Sequence, residues 1–244
     1  MTPGVMKEFL RNLLGRSCSI QNLKLTSQEL KPRVVILTCV EAAARRFLSS
    51  SLQHDAAVLC SPGNLIPHSK LYGKEVLGSE VASMEWACSQ GSLEHVVVCG
   101  HSNCQILDAL GKWQIQSESN VMSSPFLSWL TQHGNSTLTR FERYEMDRLQ
   151  PMTFQGISPK ELWDAYVDPQ CHWTEQDQFS QVNVLQQLQN VSSHGFLKPK
   201  LKSGALQLHG MWLDSREQSP FLFSKEQQRF VQITDDNIDS LLKI

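Results

Sequence analysis

Two apolar segments, each followed by side chains that can bind a metal, constrain the fold of this chain most strongly. The segment 34–38 is rich in β-branched residues and is followed by Cys39. The segment 96–99 has the same character, and His101 and Cys104 come soon after it. Continuous apolar runs of this kind are typical of parallel strands that are buried on both faces. Because the carboxyl ends of parallel strands meet at one edge of the sheet, we expect the three side chains to converge there.

One histidine and two cysteines form a ligand set that zinc prefers. Three protein ligands with an open fourth position are typical of a catalytic zinc site, so Cys39, His101 and Cys104 are candidate zinc ligands. The spacing alone leaves a second interpretation open. A pair in the pattern H-x-x-C also arises by chance, and buried cysteines usually only pack, so the three residues can equally be two inert cysteines and a hydrogen-bonded histidine.

The alternation of apolar runs with helical patterns predicts one α/β domain, a mostly parallel central sheet with flanking helices and an antiparallel edge strand. We predict an N-terminal helical arm over residues 1–30 and the main domain over residues 31–244. Trp86, Trp129 and Trp212 lie among apolar neighbours and are predicted to pack in the core or an interface. The later predicted elements are helices over 124–129, 138–149, 161–166 and 178–193, a turn-rich segment over 150–159, and strands over 206–213 and 220–223, the last at the edge.

Several short motifs follow one another along the chain. They are Thr38-Cys39, Pro-Gly-Asn-Leu-Ile-Pro at 62–67, Ser-Met-Glu-Trp-Ala at 83–87, Cys-Gly-His-Ser-Asn-Cys at 99–104, and Leu-Gln-Leu-His-Gly-Met-Trp-Leu-Asp at 206–214. In this order they resemble the β-class carbonic anhydrases, over about residues 31–235. The resemblance implies a fold like that of this class, with Zn²⁺ held by Cys39, His101 and Cys104. It also implies reversible hydration of carbon dioxide to bicarbonate by zinc-bound hydroxide, because zinc lowers the pKa of bound water to about 7.

The chain departs from the family pattern beside the first zinc cysteine. In the family an aspartate accepts a hydrogen bond from zinc-bound water and an arginine holds that aspartate, whereas the matching positions here are Glu41 and Ala43. Arg45 and Arg46 lie close in the sequence and are candidates to replace that arginine. Two hypotheses follow. In a working enzyme Glu41 is the catalytic carboxylate; in a pseudoenzyme Glu41 binds the metal, closes a structural zinc site, and the protein acts as a binding or hetero-oligomer subunit.

The segment after the second predicted strand (56–59) is expected to line the same crevice. There Ser61, Gly63 and Asn64 are the candidate substrate-pocket residues. Cys60 stands near the position where the family has an arginine. It is interpreted either as a redox-sensitive thiol beside the metal or as a packed cysteine at a strand end.

The composition limits the classes of partner and the compartment. The chain has 244 residues, with 22 basic against 24 acidic side chains, a balance that gives no reason to expect nucleic-acid binding. Seven cysteines without framework spacing indicate a reduced, intracellular protein, and no apolar run approaches the roughly 18 residues of a membrane span. The basic, amphipathic segment 6–16 fits a mitochondrial presequence or a helix that docks on a partner subunit, so we expect a cytoplasmic or mitochondrial protein. The family resemblance implies a homodimer or higher oligomer and places His209 near a subunit contact.

Overall fold

The computed structural model describes residues 4–15, 31–41, 47–48, 56–71, 78–113, 124–158 and 161–242. Within these ranges the strands are β1 (Val34–Cys39), β2 (Ala56–Ser61), β3 (His95–His101), β4 (Met152–Gln155), β5 (Leu162–Ala165), β6 (Gln207–Asp214), β7 (Ser219–Ser224) and β8 (Arg229–Gln232). The helices are α1 (Gly4–Gly15), α2 (Ser79–Ser89), α3 (Gln105–Trp113), α4 (Pro125–Met146), α5 (Glu175–Ser192), α6 (Lys198–Lys202) and α7 (Ile238–Leu241).

A six-stranded sheet in the order β2-β1-β3-β6-β7-β8 forms the centre of the fold. The strands β2, β1, β3 and β6 run parallel, and β7 and β8 pair antiparallel to their neighbours. Every residue of β1 and β3 is buried, which explains why both segments are continuously apolar. The predicted α/β class, with a mostly parallel sheet and an antiparallel edge, is confirmed.

Helix α5 packs unusually close to one face of the sheet. A Cβ atom added to Gly100 on β3 would lie 2.5 Å from Cγ2 of Val184, and one added to Gly210 on β6 would lie 2.9 Å from Cδ1 of Leu188. Only glycine permits such an approach of helix and strand. The close packing buries α5 on the face of the sheet that carries the larger apolar cluster.

The opposite face of the sheet is covered by α1. Its apolar residues Met6, Phe9, Leu10 and Leu13 are buried and belong to the apolar cluster formed with β1, β3 and β6 of the same chain. Lys7 of this helix forms an ion pair with Asp239 of α7. Among the described residues, no helix has both the length and the apolar character to cross a bilayer. The helical arm over 1–30 and its contact with a partner subunit stay predictions.

Several predicted elements in the middle of the chain are wrong. The two helices predicted over 124–129 and 138–149 are one continuous helix, α4, because Gly134 packs against Leu110 without interrupting it. The segment predicted as a helix over 161–166 is strand β5, and the turn-rich segment before it contains β4. These two strands form an antiparallel hairpin in which Phe154 and Trp163 stack with their ring centroids 4.5 Å apart. Tertiary contact therefore overrides local propensity there.

The edges of the sheet and one tryptophan also differ from the prediction. The edge next to β7 is β8, which the prediction missed, so the strand predicted over 220–223 is an inner one. At the other edge β2 is mostly half-buried rather than buried. Trp212 is fully buried as predicted, whereas Trp86 on α2 is 59% exposed. Trp86 is therefore not a core residue of this chain, and its packing in an interface stays a prediction.

Candidate metal centre

The three predicted ligands meet at the carboxyl edge of the sheet. Cys39 is the last residue of β1 and His101 the last residue of β3, and these parallel strands are adjacent. Cys104 follows a short turn in which Asn103 adopts a positive φ of 54°, and α3 begins directly after it. One ligand atom from each of these residues and from Glu41 lies within 4.8 Å of the others. In the described part of the chain this is the one such group with the donors for a metal ion.

The distances inside this group are those of a compact donor cluster. The Sγ atoms of Cys39 and Cys104 are 4.0 Å apart. Oε1 of Glu41 lies 3.3 Å from Sγ of Cys104 and 3.9 Å from Sγ of Cys39. Ligand atoms of a tetrahedral zinc site lie about 3.5–4 Å from one another, so the spacing of these donors fits zinc.

His101 is oriented so that one ring nitrogen is left for a metal. Its Nδ1 donates to the carbonyl oxygen of Ser102 at 2.9 Å. Its Nε2 is buried and has no hydrogen-bond partner among the described residues. A backbone carbonyl that accepts from one nitrogen fixes the tautomer in which the other carries a lone pair. The orphaned Nε2 is therefore the donor that a metal would satisfy.

The cysteines and the histidine influence each other's protonation. The hydrogen bond from Cys104, together with His101, lowers the pKa of Cys39 to about 5 against the effect of burial. The same hydrogen bond and burial raise the pKa of Cys104 well above its usual value. Burial lowers the pKa of His101, but the Cys39 thiolate outweighs it, and the pKa is raised. A cation that binds both sulfurs must therefore displace the proton that Cys104 holds more tightly than an ordinary thiol does.

Helix α3 contributes its first turn to the centre. The backbone N–H of Ile106 donates to Oε1 of Glu41 at 3.2 Å. The carbonyl oxygen of Cys104 accepts both from the N–H of Asp108 at 3.0 Å and from Nε2 of Gln176 at 3.1 Å. The positive end of a helix dipole stabilises anionic groups, here the carboxylate of Glu41.

The residues that hold the turn between His101 and Cys104 were not predicted from the sequence. Asp177 of α5 accepts from the N–H of Asn103 at 2.9 Å, and Ser180 donates to the carbonyl oxygen of His101 at 2.8 Å. These partners lie more than 70 residues away along the chain. No local motif predicts such contacts, although the acidic residues at the start of a helix rich in polar side chains were a visible signal.

The predicted pocket residues lie beside the centre and face α5. Ser61 is the register partner of Cys39, and its hydroxyl donates to the carbonyl oxygen of Leu65 at 3.0 Å. Gly63 has a positive φ of 63°. Nδ2 of Asn183 donates to the carbonyl oxygen of Gly63 at 2.8 Å and to Oδ1 of Asn64 at 3.0 Å. This turn is buried and rigid, and a role in lining a substrate pocket stays a prediction.

The sequence also pointed to Cys60 and to residues near Glu41 as possible contributors to the site. Cys60 is exposed and does not belong to the group of donor atoms. Ala43, Arg45 and Arg46 lie outside the described residues.

Comparison with known proteins agrees with this geometry. The sequence model of the carbonic anhydrase family matches residues 34–219. The chain is 35% identical to beta carbonic anhydrase 1 of Caenorhabditis elegans, over 97% of this chain and 92% of the relative, and 34% identical to that of Caenorhabditis briggsae, over 91% and 84%.

Solved structures share the fold at lower identity. The β-carbonic anhydrase CcaA gives a TM-score of 0.65 at 22% identity, over 86% of this chain and 81% of its own. One of two tetrameric enzymes of the class from the filamentous ascomycete Sordaria macrospora gives 0.55 at 13% identity, over 80% and 82%. Three findings indicate the same protein class. They are the match to the family sequence model, the two nematode relatives along nearly the full chain, and the shared fold. This chain belongs to the β-class carbonic anhydrase family.

Proposed function

We propose that this protein is a zinc-dependent carbonic anhydrase that catalyses the reversible hydration of carbon dioxide to bicarbonate. The observation that carries the proposal is the convergence of donor atoms from Cys39, Glu41, His101 and Cys104 within 4.8 Å at the carboxyl edge of the sheet. Family membership supplies the reaction type, and the donor set supplies the chemistry. A bound zinc ion would supply Lewis acidity that lowers the pKa of water to about 7.

Each proposed ligand brings a property that suits zinc. Cys39 and Cys104 together provide two thiolates, which neutralise the charge of the ion. His101 provides the buried Nε2 that has no hydrogen-bond partner among the described residues. All three side chains are buried, so the donors are shielded from competing solvent. Imidazole and thiolate ligands favour zinc over magnesium or calcium, which prefer oxygen.

Glu41 is the proposed catalytic carboxylate. Its Oε1 is anchored by the N–H of Ile106, and the side chain is half-buried at the mouth of the donor cluster. An anchored carboxylate accepts a hydrogen bond from the reacting water and so orients a lone pair of its oxygen toward carbon dioxide. Removal of a residue that orients a metal site typically costs about 10 to 100-fold in activity or affinity.

The test is carbon dioxide hydration by stopped flow, on protein whose zinc content has been measured. We expect about one zinc per chain and hydration well above the buffer rate, with both lost in Cys104→Ser. The matched control is Cys171→Ser, because Cys171 is exposed and lies outside the donor cluster. Zinc-loaded protein without hydration activity would overturn the proposal, and so would full activity in Cys104→Ser.

A second candidate function has one specific observation in its favour. Oε1 of Glu41 is 3.3 and 3.9 Å from the two sulfur atoms, within the range expected between two ligands of one tetrahedral zinc. If Glu41 binds the metal, the site is four-coordinate and closed, and zinc contributes folding energy only. The protein would then be a pseudoenzyme that acts as a binding or hetero-oligomer subunit.

We also propose that the protein is a homodimer or a higher oligomer. Strand β2 is an edge strand, with no partner on its outer side among the described residues, and edge strands offer unpaired backbone groups. The solved Sordaria macrospora enzymes are described as tetrameric. Sedimentation equilibrium should give a mass at least twice that of one chain, and a monomer at micromolar concentration would refute the proposal.

A further inference from the structure

Two carboxylates are buried beside the turn that connects His101 to Cys104. Asp177 at the start of α5 is 0% exposed, and Asp214 at the end of β6 is 2% exposed. Oδ1 of Asp177 accepts from the N–H of Asn103 at 2.9 Å. Oδ1 of Asp214 accepts from the hydroxyl of Ser102 at 3.2 Å. The two carboxylates thus hold the two residues that separate the proposed zinc ligands.

One guanidinium joins both carboxylates. Nη2 of Arg216 lies 3.0 Å from Oδ2 of Asp177, and Nε of Arg216 lies 2.9 Å from Oδ1 of Asp214. In the described part of the chain, the ion pairs of both aspartates are made with Arg216. The guanidinium also lies 5.4 Å from the ring centroid of Trp173, which limits its freedom.

The turn itself needs such support. Asn103 adopts a φ of 54°, in the left-handed region, which asparagine enters more readily than most residues but less readily than glycine. Other hydrogen bonds of the turn include the one from the N–H of Ser102 to Leu213 O at 2.8 Å and the one from the N–H of Ser215 to Oγ of Ser102, also at 2.8 Å. The hydrogen bond to Asp177 therefore fixes the residue directly before Cys104.

We propose that Arg216 is a positioning residue of the zinc centre, which holds the His101–Cys104 turn through the two buried carboxylates. This inference rests on the proposed function. A buried carboxylate without a cationic partner takes up a proton or turns toward water, and either change alters its hydrogen bond to the turn. Arg216 satisfies both carboxylates at once because a planar guanidinium donates in two fixed directions.

The test compares zinc affinity in four proteins, by competition with a chromophoric chelator, together with the absorption spectrum of their Co²⁺ forms. We expect Arg216→Ala to weaken zinc binding about tenfold and to alter the Co²⁺ bands, since both report the geometry of the ligands. The control is Arg229→Ala, because Arg229 lies on β8 and its side chain contacts Gln227. The double variant Asp177→Asn/Arg216→Ala should recover part of the affinity, because asparagine still accepts from Asn103 but carries no charge.

The possible results separate the inference from the proposed function. If the unaltered protein binds no zinc, the proposed function fails and the role of Arg216 fails with it. If it binds zinc and hydrates carbon dioxide, and Arg216→Ala changes only the unfolding temperature, the inference alone is overturned. If Arg216→Ala does not fold, the variant Arg216→Lys tests the role of Arg216 instead. An ammonium donates less well to two carboxylates at once, so unaltered affinity together with an unaltered Co²⁺ spectrum would also overturn it.

Discussion

Oε1 of Glu41 lies 3.3 Å from Sγ of Cys104 and accepts a hydrogen bond from the N–H of Ile106 at 3.2 Å. The carboxylate is thus anchored by the first turn of α3, close to a proposed zinc ligand. The family resemblance implies an arginine in that anchoring role, and this chain has Ala43 at the matching position. Backbone donors at a helix N-terminus provide a comparable anchor for an anion. The longer side chain of glutamate therefore comes with a different means of holding it.

The first prediction separates the two hypotheses for Glu41. We expect Glu41→Gln to lower carbon dioxide hydration by about 10 to 100-fold while zinc affinity changes little, because glutamine cannot accept in the same way from the reacting water. Stopped-flow rates and chelator competition give the two quantities. Glu85→Gln is the control, since Glu85 is exposed on α2.

The opposite pattern would identify Glu41 as a metal ligand. In that case Glu41→Gln would weaken zinc binding by a similar factor and would alter the Co²⁺ spectrum, and the unaltered protein would be inactive. A variant that keeps both full activity and full affinity would contradict both roles, because Glu41 would then be a solvated carboxylate beside the site.

The second prediction concerns the contact between Gly100 and Val184. A Cβ at position 100 would lie 2.5 Å from Cγ2 of Val184, so Gly100→Ala forces α5 away from β3 next to His101. Overpacking of this kind typically costs about 1–3 kcal/mol, which we expect in the free energy of unfolding measured in urea. Gly195→Ala is the control, because nothing lies within 4 Å of a Cβ there. If Gly100→Ala loses less free energy of unfolding than the control, α5 moves away from β3 without an energetic cost.

The third prediction concerns pH and the buried His194. Burial lowers its pKa from 6.5 to about 4, although its hydrogen bond to Pro67 O raises it. As the pH falls below 6.5, the unfolded chain takes up a proton at this residue and the folded protein does not. Stability is therefore present above pH 6.5 and is lost between about pH 6.5 and 4, by about 1.4 kcal/mol per pH unit from this residue.

The variant His194→Gln isolates this contribution. Its amide stays neutral and still donates to Pro67 O, so the free energy of unfolding should depend less steeply on pH between 6.5 and 4. Some dependence remains, because burial also lowers the pKa of His209 to about 3. Exposed His172 provides the control His172→Gln, which should leave the slope unchanged. An unchanged slope in His194→Gln would mean that the folded protein takes up the proton as well.

The core of the fold and the donor cluster were predictable because one signal encodes both. Strands buried on two faces are continuously apolar, and the residues just after them meet at one sheet edge. Cys39 and His101 are strand-end residues, and Cys104 directly precedes the next helix, so their convergence follows from the topology. The helix α3 begins four residues after His101, and this spacing does not predict where Glu41 lies. The position of the Glu41 carboxylate depends on a backbone donor in α3.

The features that could not be predicted from the sequence depend on polar contacts between residues far apart in the chain. Helix α5 is almost entirely buried although it is rich in amide side chains. Gln187 accepts from the N–H of Ile66 at 2.8 Å, and Nδ2 of Asn190 donates to Ile66 O at 2.9 Å, across more than 120 residues. Strand β4 depends likewise on Arg140, which donates to the carbonyl oxygen of Thr153 and lies 4.2 Å from the ring centroid of Phe154. The periodicity of apolar residues does not predict such hydrogen-bond partners.

The last prediction compares two cysteines that lie on adjacent strands. Cys39 is fully buried in the donor cluster, whereas Cys60 is exposed on β2, where it pairs in register with Thr38. Cys39→Ser should lose most of the bound zinc, because a serine hydroxyl does not replace a thiolate ligand. Cys60→Ser should keep both zinc and activity. Atomic absorption on gel-filtered protein measures the zinc in each.

The variant Cys60→Ser also serves to test whether Cys60 is a reactive thiol whose modification affects the metal. An alkylating reagent should label Cys60 in the zinc-loaded protein without releasing zinc, because its sulfur is not one of the donor atoms. Zinc release during labelling, absent in Cys60→Ser, would instead show that modification at the edge strand reaches the centre. Since Cys60 directly precedes Ser61, the register partner of Cys39, β2 is the route by which such an effect would pass.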